Sequence, residues 1–173
     1  HEGCQLIPEL ADEVIAKVNE IDNPFTIEVI SFEQLVASGM ISLIDKTVDD
    51  AYLARVSQVP KHFNVKVNNK KNIKIVFTPL HGTASVHMVK LLEKHGFTVI
   101  PVQEQMVPDP NFSTLVSPNP EEASAFTLAI RLGERVDADY LIATDPDADR
   151  MGIAVKTKNG YQLLTGNQTG AIM

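Results

Sequence analysis

Three aspartates at alternate positions, Asp145, Asp147 and Asp149, follow the apolar run Tyr140–Thr144 without a spacer. Arg150 comes directly after them. Carboxylates packed this closely repel one another, and a divalent cation offsets that repulsion. Oxygen donors with no His or Cys beside them suit a hard ion, Mg²⁺ or Ca²⁺, rather than zinc. Pro146 stiffens the loop, and neither it nor Ala148 adds a competing polar group.

Several uses of such a loop compete. One is a solvated acidic turn, although turns rarely concentrate three like charges beside a strand end. An EF-hand also opens on alternating aspartates, but it needs Gly at its sixth position and Glu at its twelfth. Here those positions hold Arg150 and Lys156, so an EF-hand fails. A phosphatase with an aspartyl nucleophile carries D-x-D-x-[T/V] after a strand. Asp145 and Asp147 match that pattern, but Asp149 stands at the fifth position. A noncatalytic Ca²⁺-binding module stays open beside it.

The elements around the loop determine where it sits. Ile73–Phe77 is a β-branched, strand-like run, and Ala84–His95 has helical apolar spacing with Gly96 as its cap. Phe97–Val102 predicts a second strand. Asn119, Pro120 and Glu122 predict a helix start that carries on to about Val136, with Phe126, Ala129, Ile130 and Gly133 inward. Asp139–Thr144 and Met151–Thr157 predict two further strands, and Asn159-Gly160 a hairpin turn. Strand, helix, strand, helix, strand is the alternation of a parallel α/β layer. Only Asp145–Arg150 joins the third strand to the fourth, too little for a parallel crossover, which needs about a dozen residues. The fold expected is therefore a three-layer α/β/α domain. Its small mixed four-stranded sheet has three parallel strands and one antiparallel strand. The acidic loop then lies at the carboxyl end of a parallel strand, where open α/β sheets bind ligands.

Upstream the reading is looser. Pro8–Ile21 has helical spacing until Asp22, Asn23 and Pro24 break it, and Asp49–Val59 predicts a helix stopped by Pro60. Between them, Ile27, Val29 and Ile30 suggest a strand, and Phe32, Leu35 and Val36 a short helix ending at Gly39. The lysines from Lys61 to Lys74 have no interleaved aromatic beyond Phe63, so they read as a solvated loop before a strand, not a nucleic-acid patch. Loop 103–120 is long enough to be functional or interface-forming. His81 reads as a hydrogen-bonded loop residue, and Ser113 and Ser117 as turn and cap residues.

The chain has 173 residues and a formal net charge of −7, which disfavours nucleic acid as a partner. Its single cysteine, Cys4, excludes an intrachain disulfide. No apolar run reaches the roughly 18 residues of a membrane span, so a membrane partner is not expected and the localisation expected is cytoplasmic. The chain opens on His1, and Gly166–Met173 reads as a helix just begun, so a piece of a longer protein is expected.

The segment from Asp145 to Gly152 resembles the metal loop of the α-D-phosphohexomutases, D-[GP]-D-[AG]-D-R-x-[GA]. Three more stretches agree, in order: Thr78–Thr83, Pro108–Ser113 through Ser117–Glu122, and Leu164–Gly170. Together they resemble the bacterial phosphoglucomutase/phosphomannomutase branch across essentially the whole chain. The resemblance implies an end of domain I and linker over 1–40, the metal-binding domain II over 41–164, and the start of domain III over 165–173. It implies a cytosolic enzyme that moves a phosphoryl group between the 1- and 6-oxygens of a hexose phosphate through a phosphoserine and a 1,6-bisphosphate. Asp145, Asp147 and Asp149 are then Mg²⁺ ligands, and Arg150 is the catalytic arginine that reaches phosphate and substrate. A guanidinium fork suits phosphate oxygens. No serine here sits in the family's T-A-S-H-N-P nucleophile motif, so this stretch alone is expected to be inactive. The other domains of the same chain would be its partners.

Overall fold

The computed structural model describes residues 3, 5–59 and 67–172. Pro60, the lysines from Lys61 to Lys66, and Cys4 lie outside the described residues. The chain divides into two compact units, 1–44 and 45–173.

In the first unit, helix α1 (Pro8–Asn19) starts with Pro8 in its first turn, where the missing N–H costs nothing. Its apolar face, Leu10, Val14, Ile15 and Val18, is about half exposed. Helix α2 (Phe32–Ala37) has a reciprocal cap between Ser31 and Gln34 and ends at Gly39, which adopts φ 76°. The strand suggested by Ile27, Val29 and Ile30 is absent among the described residues. Asn23 caps a 3₁₀ turn over Pro24–Thr26, and the stretch after it finds no sheet to join. A β-branched run without a partner strand has nothing to satisfy its backbone groups.

The second unit opens with helix α3 (Lys46–Val56), which Asp45 caps by accepting from the Thr47 amide. The sheet follows as β1 (Lys74–Thr78), β2 (Thr98–Pro101), β3 (Tyr140–Thr144), β4 (Met151–Thr157) and β5 (Gly160–Leu164). Its order is β2-β1-β3-β4-β5. β1 is central and pairs in parallel with both β2 and β3, and β4 runs antiparallel to β3, as the short connection requires. The sheet has five strands, not four. After the turn at Lys158-Asn159, β5 pairs back along β4 from Thr157↔Gly160 to Ile153↔Leu164. Gln162 in the middle of β5 hides its strand character in the sequence, and the ladder supplied by β4 makes it a strand.

Side chains alternate across a strand, and that alternation sorts the helices. Helix α5 (Thr127–Val136) packs its Gly133 against Leu141 and Tyr161 on one face. There Val76, Leu80, Val102, Phe126, Ala129, Leu141, Ala143 and Ala154 form the core cluster. Helix α4 (Met88–Lys94) and helix α6 (Gly166–Ile172) lie on the opposite face with Ile75 and Ile142. The architecture is thus three-layer α/β/α. Both predicted helices that border the site are shorter than the sequence pattern suggests. A 3₁₀ turn over Thr83–Ser85 precedes α4, and another over Ala123–Phe126 precedes α5. Asn119 does not cap a helix. It accepts from the Glu121 amide, while Glu122 accepts from Ser117 Oγ and Asn119 Nδ2, closing a separate turn.

Candidate metal centre and its supporting loops

The loop from Asp145 to Arg150 joins β3 to β4 as a tight reversal. The Asp145 amide donates to the Arg150 carbonyl at 3.3 Å, and the Ala148 amide donates to the Asp145 carbonyl at 3.0 Å. Ala148 takes a left-handed φ of 62° to complete the turn. The reversal brings Asp145, Asp147 and Asp149 together, each offering a carboxylate oxygen within 4.8 Å of the others. Asp145 is 2% exposed, whereas Asp147 and Asp149 face solvent.

Arg150 holds the buried member of the trio. Its backbone amide donates to Asp145 Oδ1 and its Nε to Oδ2, both at 2.9 Å. Nε also lies 3.7 Å from Asp149 Oδ1, and Nη1 donates to Asn119 Oδ1 at 3.4 Å. Burial pushes the Asp145 carboxyl up, but the hydrogen bonds from the Arg150 backbone and side chain outweigh it and hold the group below its ordinary value. Asp149 is pushed up instead, first by its hydrogen bond with Asp145 and then by the charges of Asp147 and Asp145. A carboxylate has about four lone-pair sites, so Asp145 keeps acceptor capacity beyond its two bonds to Arg150. The donor set fits a hard cation: it is all oxygen, convergent and open on one side.

Two loops fix the acidic turn from behind. The first is Thr78–Thr83, after β1, where Leu80 and His81 adopt φ of 48° and 68°. Gly82 lies so close to the acidic loop that a Cβ would stand 2.4 Å from Pro146 Cα, and the Thr83 amide donates to the Pro146 carbonyl at 2.9 Å. The second is the turn at Ser117–Glu122. A Cβ on Gly152 would reach 2.0 Å from the Pro120 carbonyl oxygen, so only glycine admits this approach.

His81 ties the long loop to the sheet. It is 7% exposed, with Nδ1 2.8 Å from the Val107 carbonyl and Nε2 2.7 Å from Thr114 Oγ1. Buried Thr78 donates to Gln105 Oε1 at 2.6 Å, and Gln105 Nε2 donates to Thr114 Oγ1 at 3.1 Å. This network orders loop 103–117. Ser113 and Ser117 lie in turns, with Asp109 accepting from the Ser113 amide at 2.7 Å. The unpartnered hydroxyl of Thr144 carries no sequence signal. The loop 117–122 motif is the one feature that could have pointed to Asn119.

Compared with known proteins, residues 50–160 match the family model described as phosphoglucomutase/phosphomannomutase, alpha/beta/alpha domain II. The chain belongs to this family. Among curated phosphoglucomutases, it is 34% identical over 174 residues to that of Staphylococcus aureus (strain MRSA252) and 33% identical over 175 residues to that of Staphylococcus saprophyticus. Each alignment covers 99% of this chain but 30% of the relative, so the chain spans under a third of the relatives' length. The crystal structure of a phosphoglucomutase/phosphomannomutase family protein from Burkholderia thailandensis shares the fold, with TM-score 0.53 and 24% identity over 67% of this chain and 22% of that one. Among the described residues no helix is long and apolar enough to cross a membrane.

Proposed function

We propose that this phosphoglucomutase/phosphomannomutase domain is the cation-holding part of an enzyme that interconverts hexose 1-phosphate and hexose 6-phosphate. The observation that carries the reading is the convergence of Asp145, Asp147 and Asp149 at the carboxyl end of β3. A bound Mg²⁺ supplies charge neutralisation and Lewis acidity toward phosphoryl oxygens. Asp145, Asp147 and Asp149 would hold the ion, Asp145 through the acceptor capacity that its bonds to Arg150 leave and the other two from their exposed positions. Asp145, clamped by Arg150, sets the position of the other two. Arg150 is half exposed, so its outer nitrogens can turn from Asn119 to phosphate oxygens while Nε stays on Asp145. Phosphoryl transfer depends on such positioning and charge placement more than on covalent help from the protein. In this reading the phosphoserine and the sugar-holding loops come from other domains, through a 1,6-bisphosphate intermediate. The domain proper runs over 41–164 and the enzyme works in the cytoplasm.

The burial of Asp145 disfavours an aspartyl phosphatase. Both its oxygens accept from Arg150 and it is 2% exposed, which makes it the least accessible of the three carboxylates to a phosphoryl group. Titrating the chain with Mg²⁺ while following backbone amide NMR shifts tests the reading. Shifts confined to 144–150 and the Gly82 contact are expected. An unmoved loop at tens of millimolar, where even a weak hard-ion site of this type would respond, would remove the metal role. A response to Ca²⁺ far below the Mg²⁺ range would favour a Ca²⁺ module.

A further inference from the structure

The loop after β1 holds two consecutive residues in the left-handed region, Leu80 at φ 48° and His81 at φ 68°. Phe112, at φ 48°, packs edge-on against the His81 ring with centroids 6.2 Å apart. None of the three is glycine. In this region a Cβ crowds the following carbonyl oxygen, so a bulky residue stays there only where its surroundings impose it. On one side the constraint is apolar, because Leu80 is fully buried in the core cluster. On the other side it is a chain of hydrogen bonds to loop 103–117.

The direction of each bond in that chain follows from its neighbour. The Thr78 hydroxyl accepts from the Leu80 amide at 3.1 Å and gives its hydrogen to Gln105 Oε1. Gln105 then presents Nε2 to Thr114 Oγ1. Thr114 accepts there, which leaves its own hydrogen for His81 Nε2. At the other ring nitrogen the Val107 carbonyl can only accept, so Nδ1 carries the ring proton. The His81 amide closes the circuit by donating to the Gln105 carbonyl at 3.0 Å. Thr78, Gln105 and His81 are buried, so a bond lost in the chain leaves a buried polar group unpaired.

The next two residues, Gly82 and Thr83, are the ones that meet Pro146 in the acidic loop. A change of backbone at 80 and 81 therefore displaces the surface on which Asp145–Arg150 rests. We infer that His81 is a positioning residue for the three aspartates: uncharged, with its proton on Nδ1, it fixes the strained turn that seats Pro146. His81 stands outside the aspartate trio and acts through Gly82 and Thr83. The inference rests on the cation reading for its effect on ion affinity, and on the fold alone for its effect on the loop. A histidine that only tied down loop 103–117 would give the opposite pattern, a stability loss shared by the whole sheet with ion affinity unchanged.

The test uses the 173-residue chain and the variants His81→Ala, Thr114→Val and Thr114→Ser, with Tyr161→Phe on β5 as a control. Long-range ¹H–¹⁵N NMR of the His81 ring at neutral pH should show a protonated Nδ1 and a bare Nε2. In Thr114→Val, hydrogen exchange at the Thr83 and Arg150 amides should quicken about 10-fold relative to the Lys156 amide, the scale for stripping a buried group of its partner. The Kd for Mn²⁺, counted free by electron paramagnetic resonance, should rise about 10-fold, as for other groups that orient ligands without binding the metal. His81→Ala should do the same. Thr114→Ser keeps the hydroxyl and should stay within about threefold of wild type, short of such a loss. Tyr161→Phe should raise neither the exchange ratio nor the Kd. Thr114 stands in an exposed loop, so Thr114→Val decides the matter even if His81→Ala fails to fold. A bare Nδ1, uniform quickening across the sheet, or an unchanged Kd in Thr114→Val overturns the inference and leaves the aspartate site standing. Equal losses in Thr114→Val and Thr114→Ser also overturn it, since the hydroxyl is then not the determinant. Failure of wild type to bind Mn²⁺ removes the cation reading, and the exchange rates at Thr83 and Arg150 then decide this inference alone.

Discussion

Arg150 lies against Asp145, with Nε 2.9 Å from Oδ2, and leaves about half of its side chain in solvent. The guanidinium can therefore serve two partners at once, the buried carboxylate on one edge and an incoming anion on the other. Lysine keeps the charge but presents a single point donor, so it can serve only one. In an enzyme of the proposed kind, Arg150→Lys should lower kcat roughly 10²-fold, the scale of losing one oriented donor, with the thermal midpoint little changed. Steady-state kinetics across a Mg²⁺ series reads both quantities. Wild-type turnover in Arg150→Lys would reduce Arg150 to a structural partner of Asp145. Asp147→Asn acts elsewhere. It removes an exposed carboxylate that holds up no neighbouring backbone, so it should move the Mg²⁺ requirement to higher concentration without unfolding the loop.

The acidic turn depends on elements outside the aspartate trio. Gly82 and Gly152 let two separate loops close on it, and their Cβ clashes would be with backbone atoms that cannot swing away. Gly152→Ala should therefore cost about 1–3 kcal/mol in urea denaturation, the range for forced overpacking, and Gly82→Ala should behave alike while also weakening Mg²⁺ binding. At the far end of the sheet, Tyr161 on β5 donates its hydroxyl to the Ala138 carbonyl at 2.6 Å. Burial, ahead of its other influences, pushes this phenol above 10.0. A folded-state value above the unfolded one gives stability that is complete below about pH 10 and is lost as pH rises through the folded value. Tyr161→Phe should remove that alkaline component and cost about 1 kcal/mol at neutral pH. Urea melts of both proteins between neutral pH and strong alkali provide the check.

These elements also show what a sequence makes legible. β1, β3 and β4 were readable because buried strands must be apolar and because six residues cannot carry a parallel crossover. The aspartate trio was readable because its spacing has few other uses. β5 was not, since Gln162 dilutes its pattern and pairing with β4 supplies what its own residues lack. The start of α5 was misplaced because Asn119, Pro120 and Glu122 serve a turn that uses the same capping chemistry as a helix. Thr144 gives no sign of its state at all. An unpartnered hydroxyl is a property of surroundings that only the fold assembles.

On the proposed reading, the whole molecule supplies one half of the reaction's requirements. The convergent oxygens, the arginine and the glycine contacts belong to this chain, whereas no serine stands in the family's nucleophile motif. The 173-residue chain, given glucose 1-phosphate and the 1,6-bisphosphate, should show no mutase turnover. A coupled assay for glucose 6-phosphate reads this directly, and product formation by the pure chain would place a phosphoryl acceptor within these residues.

The antiparallel turn from β3 into β4 bears on which sign of ion the proposed site would prefer. In a doubly wound sheet a parallel strand runs into a helix, and the first turn of that helix points unpaired amides and a partial positive charge at whatever binds there. Such a crevice attracts anions. Here β3 runs into another strand, so no helix begins at Asp145. The aspartates are spared a competing positive pole of backbone origin. The location that in related architectures receives a phosphate is thereby free to receive a cation, and on the proposed reading a phosphate would be met by that cation and by Arg150 rather than by main-chain amides.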